Sequence, residues 1–371
     1  MRRIVARRLS IAVVLGLVGH VAAAAAQVQA PTVTVGGVGY VNYGYQLKQD
    51  SSLAAGVGHG NNFDVGRAYV NVNGKFAEGV TTRVTTDVDG RAAAAGQLSI
   101  RLKYAFVAWQ PHGVGPLTYK VGMIHTPWVD FEETMWDYRM QGTTAMDRNS
   151  KLTSSDIGAG VDGMWHYDQF AIQVGAYNGE GYSGAPGDQG KDIEARASYR
   201  LAKTNLPGKV GGLRLSGYAG LGKLNGGGTR NRFLGMLSYK SKTVTLAAEI
   251  ATTEDSIGTG ATALPHQKGQ LMTAFGVFNV DSGRVGFIAR VDTWDPNKDS
   301  VVVSTTNTAA INTLKLAQNK QTRVIIGVSY VITPNLRVLL DADLNSLQNA
   351  LPNSAFDRNR QTLFFHTEFK F

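Results

Sequence analysis

The chain has 371 residues, 44 of them glycine and none cysteine, with a formal charge of +9 at pH 7. The lack of cysteine excludes disulfides, thiol catalysis, covalent haem attachment, cysteine-bound metal and a lipid-anchored amino terminus. Setting aside an arginine-bearing leader leaves a charge of about +5 on roughly 345 residues, too modest an excess to argue for nucleic acid as a partner.

That leader is residues 1–26, with four arginines, an apolar stretch from Ile11 and a run of alanines ending at Ala26. The order of basic, apolar and small residues predicts a secretory signal peptide cleaved between Ala26 and Gln27. Residues 27–371 are expected to form one unit, since no linker or composition break divides them. No later apolar run approaches the roughly 18 to 20 residues that a membrane-spanning helix needs.

From Val33 onward, alternation of period two marks about sixteen strand candidates of roughly nine to twelve residues, the length of a tilted membrane strand. Val80, Val84 and Val88 share a face, and Arg83, Thr85 and Asp87 take the other. Leu98, Ile100, Leu102, Tyr104 and Phe106 oppose Ser99, Arg101, Lys103 and Ala105. Ile193, Ala195, Ala197, Tyr199 and Leu201 oppose Glu194, Arg196, Ser198 and Arg200. In the closing stretch Leu363, Phe365, Thr367, Phe369 and Phe371 lie opposite Phe364, His366, Glu368 and Lys370. A lone strand of this kind also suits the edge of a soluble sheet.

The connections decide between the two. Short ones at 76–79, 110–116, 167–169, 240–242, 281–283 and 333–335, with a longer one at 203–212, alternate with long ones. The long ones fall at 48–62, 125–153, 178–191, 254–268, 295–320 and 346–359, with intermediates at 89–97 and 224–230. A soluble sandwich has no reason to alternate its loop lengths, whereas an outer-membrane barrel has short periplasmic turns and long extracellular loops. Unpaired backbone amides in hydrocarbon cost several kcal/mol each, so a sheet persists there only when closed. The prediction is an all-β fold, a transmembrane antiparallel β-barrel of about 16 strands, wide enough to leave an aqueous channel. Its polar face lines the inside, and Tyr40, Tyr43, Tyr45, Trp109, Trp165 and Tyr167 fall near strand ends, where an aromatic girdle sits.

The stretches "GRAYVNVNGKF", "GVTTRVTTDVD", "YKVGMIHTPWVDFEE", "QVGAYNGEGY", "KDIEARASYRL", "GFIARVDTWDPN" and "IIGVSYVITPNLRVLLDAD", in this order and spacing, resemble the phosphate-selective porin O and P family of bacterial outer-membrane porins. The resemblance implies a sixteen-stranded barrel in the bacterial outer membrane, a homotrimer, and passive diffusion of small hydrophilic solutes. It also implies contact with outer-membrane lipid and with the barrel-assembly machinery, for which Phe371 resembles the terminal recognition signal. Phosphate specificity does not follow. The specialised members carry an arginine-rich path and a lysine cluster, whereas the third long loop here sets Asp130, Glu132, Glu133, Asp137 and Asp147 against Arg139, Arg148 and Lys151.

In sixteen-stranded porins the third loop folds inward and narrows the channel, and "DFEETMWDYRMQG" predicts a short helix within it. A basic wall of Arg67, Arg83, Arg101 and Lys103 opposite the acids Asp130, Glu132, Glu133 and Asp137, with Arg139 among them, would set a transverse field across the constriction. The alternative, compatible with the first, is that loop acids pair with wall bases and pin the loop. Further lumen charges are expected at Lys120, Arg196, Arg200, Arg214, Arg284, Arg290, Asp292, Arg323 and Arg337. Bases outnumber acids in this inward phase, and a weak anion preference follows.

Other function classes find less support. "GAGVDG" at 158–163 has the glycine spacing of a dinucleotide loop but runs on into a strand rather than a helix. Its small residues are read instead as leaving room for the third loop. The seven histidines never show ligand spacing, so no metal and no cofactor is expected. His366 near Glu368 has no nucleophile motif to join it, which leaves an outer-membrane barrel enzyme as a minor rival. A non-conducting scaffold or adhesin barrel is the other alternative.

Overall fold

A computed structural model describes residues 30–48, 60–89, 98–184, 189–206, 210–223, 228–256, 267–299, 320–348 and 359–371. The expected leader at 1–26 lies outside the described residues, as does most of the long connections at 48–62, 254–268, 295–320 and 346–359.

Sixteen strands form one closed barrel in which every neighbour is antiparallel. They are β1 (Thr32–Lys48), β2 (Asn61–Lys75), β3 (Val80–Asp89), β4 (Ser99–Trp109), β5 (Leu117–His125), β6 (Ser155–Trp165), β7 (Phe170–Tyr177) and β8 (Asp192–Ala202). The second half comprises β9 (Gly212–Lys223), β10 (Thr229–Lys240), β11 (Val244–Ser256), β12 (Gln267–Val280), β13 (Val285–Asp295), β14 (Gln321–Thr333), β15 (Leu336–Leu347) and β16 (Arg360–Lys370). Closure is made between β1 and β16, so no edge is left unpaired. Beyond the ladder, the Gly37 and Phe371 backbones exchange both hydrogen bonds, at 3.0 and 3.1 Å. The Phe369 and Phe371 rings lie over Gly39 and Gly37, where any Cβ would collide with them.

The alternation sorts faces by water and lipid. Ile100, Ile193, Leu215, Ile326 and Leu340 stand exposed on the outer face, forming the apolar band that hydrocarbon covers. On β8, Glu194, Ser198 and Arg200 are buried inside while Ile193, Tyr199 and Leu201 are outside.

Three expectations need correction. Tyr104 and Phe106 turn inward, because Thr85 pairs with Tyr104 and Thr86 with Leu102, leaving Lys103 as the extra residue of a bulge. The phase of β4 flips there, and Lys103 and Tyr104 both end up buried inside. Arg284 is not on the lumen wall. The turn before it holds three consecutive positive-φ residues, Asp281, Ser282 and Gly283, and strand geometry begins only at Val285. The exposed Arg284 guanidinium instead lies 5.9 Å from the Tyr330 ring centroid. Tyr40 belongs to no girdle, since it is buried on the inward face edge-on to Tyr69, with centroids 6.2 Å apart.

The inward face is also less polar than expected. Leu234, Leu271, Phe275, Ile288, Ile325 and Leu339, all on strands β10 to β15, form one apolar cluster with Trp128, Phe131, Met135, Trp136 and Met146 of the β5–β6 connection. The loop therefore packs on an apolar patch of the inner wall, and each large side chain buried there contributes on the order of 2 kcal/mol.

Candidate functional site: the loop inside the barrel

The connection from β5 to β6 leaves the wall early. The β4–β5 ladder stops at Ala105 and Met123, and β5 ends at His125. Its exit is fixed by the His125 carbonyl, which accepts from Gln173 Nε2 at 3.1 Å and from the Tyr177 hydroxyl at 3.0 Å. The Tyr177 ring reaches it by lying across Gly175. Gly158 and Gly160 sit close against the Ala176 and Val174 carbonyls of β7, so their lack of a side chain serves the neighbouring strand, not the loop. The neck of the connection is closed by Thr126 N–H donating to the Ser154 carbonyl at 3.1 Å.

Within the connection α1 (Val129–Trp136) forms two turns, and α2 (Ala145–Arg148) forms one. Acidic Asp130 and Glu132 occupy the first turn of α1, where the helix dipole favours them. The helix ends at Asp137, in the left-handed region at φ 58°, with its N–H bonded to the Glu133 carbonyl. At the same end Lys240 Nζ donates to the carbonyls of Thr134 and Met135 at 2.6 and 3.1 Å. Helical spacing divides the side chains: Phe131 and Met135 enter the apolar cluster, while Asp130 and Glu133 lie together on another face.

Asp130, Glu132, Glu133 and Asp137 each have a partner. Glu132 Oε1 accepts from Arg290 at 3.0 Å, with both side chains closed to solvent. Arg290 also reaches Asp292 at 2.8 Å, Arg148 of α2 binds Asp292 at 2.7 Å, and Thr273 donates to the same carboxylate at 2.9 Å. Trp128 Nε1 donates to Glu249 at 3.2 Å. Glu133 pairs with Arg139 within the loop at 2.8 Å, and Arg139 reaches the Tyr69 hydroxyl at 3.3 Å. The Asp137 carbonyl accepts from Arg337 at 2.7 Å, and Arg337 also binds Glu368 at 3.1 Å. Asp130 accepts from the Tyr104 hydroxyl at 2.9 Å and lies 3.0 Å from His125 Nε2.

Burial alone would raise the Asp130 carboxyl, but His125, Lys103 and the Tyr104 hydroxyl outweigh it and hold it at about 2. Burial and the neighbouring Arg323 push the Arg148 guanidinium down to about 10 against the opposing pull of Asp292.

The bases singled out from the sequence divide differently. Arg67 and Arg101 both bind Asp87, at 2.5 and 3.2 Å, and Arg83 reaches Asn71, Thr85 and His125 at 3.0 to 3.1 Å. Among the described residues no ion pair joins a loop acid to Arg67, Arg83, Arg101 or Lys103. The pinning partners are Arg290 and Arg337, on the far side of the barrel. Lys120 pairs with Asp162, Arg323 with Asp343, and Arg200 and Arg214 with Asp168, while Arg196 donates to the Pro127 carbonyl at 2.6 Å. His366 lies between Asn42, at 2.8 Å, and Asp341, at 3.0 Å. Tyr69, Tyr104, His125 and Trp128 were missed. Tyr69 was legible two residues beyond Arg67 on the same face, whereas the bulge hid Tyr104.

A closed sixteen-stranded barrel with charged side chains and a helical segment inside is porin geometry, and the chain matches the family described as phosphate-selective porin O and P over residues 39–283. The chain belongs to that family. This porin is therefore a channel of the bacterial outer membrane for passive diffusion of small hydrophilic solutes. Solved structures with a similar fold include an anion-selective porin from Comamonas acidovorans, with a TM-score of 0.62 and 11% identity over 92% of this chain and 100% of that one. OmpF of Salmonella typhi, in complex with daunomycin, has a TM-score of 0.62 and 12% identity over 91% and 97% of the two chains. The outer-membrane channel DcaP of Acinetobacter baumannii has a TM-score of 0.61 and 10% identity over 92% and 97%. No curated protein sequence matches the porin.

Proposed function

We propose that this porin is a diffusion channel with a weak preference for anions, working as a homotrimer and without catalytic activity. The observation that carries the preference is Lys103. Its side chain is buried on the inner wall, its ammonium makes no ion pair or hydrogen bond among the described residues, and it lies 4.6 Å from the Tyr69 ring centroid and 5.4 Å from that of Tyr104. Most other inward bases contact a carboxylate directly, whereas Lys103 acts on Asp130 and Glu133 only through space, so part of its positive charge is left for the passing ion. In a narrow aperture with low-dielectric walls such a charge acts more strongly than on an open surface.

Residues 1–26 serve as the export leader in this reading, and Phe371, seated on Gly37 at the seam, serves as the assembly signal. The likeness in fold to the Comamonas porin supports the ion preference, and a trimer form solved for OmpT of Vibrio cholerae supports the assembly. Family membership supports a channel over an enzyme, and His366 is engaged by Asn42 and Asp341 rather than by a nucleophile. Reversal potentials in a potassium chloride gradient test the preference: a chloride-selective sign is expected, and clear potassium selectivity would overturn it.

A further inference from the structure

Between the second half of the inserted loop and the inward faces of β8, β9 and β10 lies a cavity of about 380 Å³, within the range of small-molecule sites. Its lining carries five Asp or Glu and five Arg or Lys side chains, so it presents both signs of charge and no net excess. Some of the acceptors in it are unspent. Glu194 is only 7% exposed and its Oε2 has no hydrogen-bond partner, and Asp192, 8% exposed, directs Oδ2 to Arg230 at 2.6 Å and leaves Oδ1 without one. The two carboxyls are neighbours on the same face of β8.

Buried acceptors without donors are costly, and a ligand that brings N–H groups relieves them. A metal ion does not suit the place, since among the described residues no three acidic or histidine side chains converge as metal ligands. An ammonium group has three donors and a longer reach. The rest of the lining then requires a negative end on the same ligand. Lys151 uses one ammonium donor on Asp255 at 2.9 Å, and Arg101, which donates to Asp87 and to the Tyr182 hydroxyl at 3.2 Å each, lines the cavity. A simple cation would meet the five basic side chains, and a simple anion the five acidic ones. A small dipolar solute satisfies both.

We infer that this cavity binds small zwitterions bearing an ammonium and a carboxylate, with Glu194 and Asp192 receiving the ammonium and Lys151 and Arg101 facing the carboxylate. The inference rests on the channel reading and names a solute class for it. The site concentrates such solutes beside the inserted loop.

The test is concentration-dependent block of single-channel current in planar bilayers by alanine, with propionate and ethylammonium as analogues that carry only one of the two charges. Alanine is expected to block at a concentration about tenfold lower than either analogue, which is about 1.4 kcal/mol. Glu194→Gln is expected to bring alanine to the level of propionate. Equal block by alanine and propionate in an otherwise conducting channel overturns the zwitterion site, as does the absence of block. A Glu194→Gln channel that conducts in potassium chloride and keeps the full alanine preference also overturns it. If the wild-type protein inserts and never conducts, the channel reading fails first.

Discussion

Arg290 on β13 donates to Glu132 on α1 across 3.0 Å, 158 residues apart in sequence, with neither side chain open to solvent. The pair joins the inserted segment to the wall opposite its point of entry. Breaking a buried pair on one side leaves an uncompensated charge and costs about 3 to 5 kcal/mol. Arg290→Met is therefore expected to release the loop, seen as a larger and noisier unitary conductance and as cleavage of residues 126–154 by added protease. A variant with the conductance and protease resistance of the wild type would show that the pair does not hold the loop.

The apolar half of the attachment has its own test. Trp128 and Trp136 are buried among inward residues that include Leu271, Phe275 and Ile325. Trp128→Ala removes the ring and its bond to Glu249, and truncations of this kind cost about 3 to 5 kcal/mol. The expected result is the same loop release with the barrel intact, since the sheet ladders are untouched. Chemical unfolding should show a loop transition separated from barrel unfolding.

In the proposed reading, ion preference turns on Lys103. Lys103→Glu changes the local charge by two in a partly screened aperture, worth about 1 kcal/mol, roughly fivefold in the chloride-to-potassium permeability ratio. The reversal potential should move toward potassium. Lys120→Glu, beside Asp162, is a control expected to shift it less.

Acid should loosen the loop at Asp130. Its folded carboxyl is held at about 2, below the roughly 3.9 of an unfolded aspartate, so its contribution is full above about pH 4 and is lost as pH falls toward 2. Asp130→Asn is expected to flatten the dependence of loop protection on pH across that window. Hydrogen exchange of residues 126–140 between pH 2 and 5 measures it.

Much of the barrel could be read from the sequence because membrane strands obey a strict local rule. The alternation of Glu194, Arg196, Ser198 and Arg200 with their outward neighbours needs only period two, and loop lengths set the handing of turns from one end to the other. A single inserted residue defeats that count. The bulge at Lys103 turned Tyr104 and Phe106 inward, and nothing in the local pattern marks it. Runs such as Val324, Ile325, Ile326 are apolar on both faces, since Ile325 meets the loop and Ile326 meets lipid. A reader expecting a wet lumen assigns only one of those faces. Arg290 and Arg337, the ion-pair partners of Glu132 and Asp137, come from distant strands, and Glu132 meets Arg290 only through closure of the whole barrel.

The central claim, that this chain makes an open channel past an inserted loop, is tested most directly by single-channel recording of the refolded protein in a planar bilayer, with the reversal potential taken in a potassium chloride gradient. Stepwise, persistent openings with a modest chloride preference are predicted. Insertion without conductance, verified by protease protection of the inserted barrel, would contradict the claim.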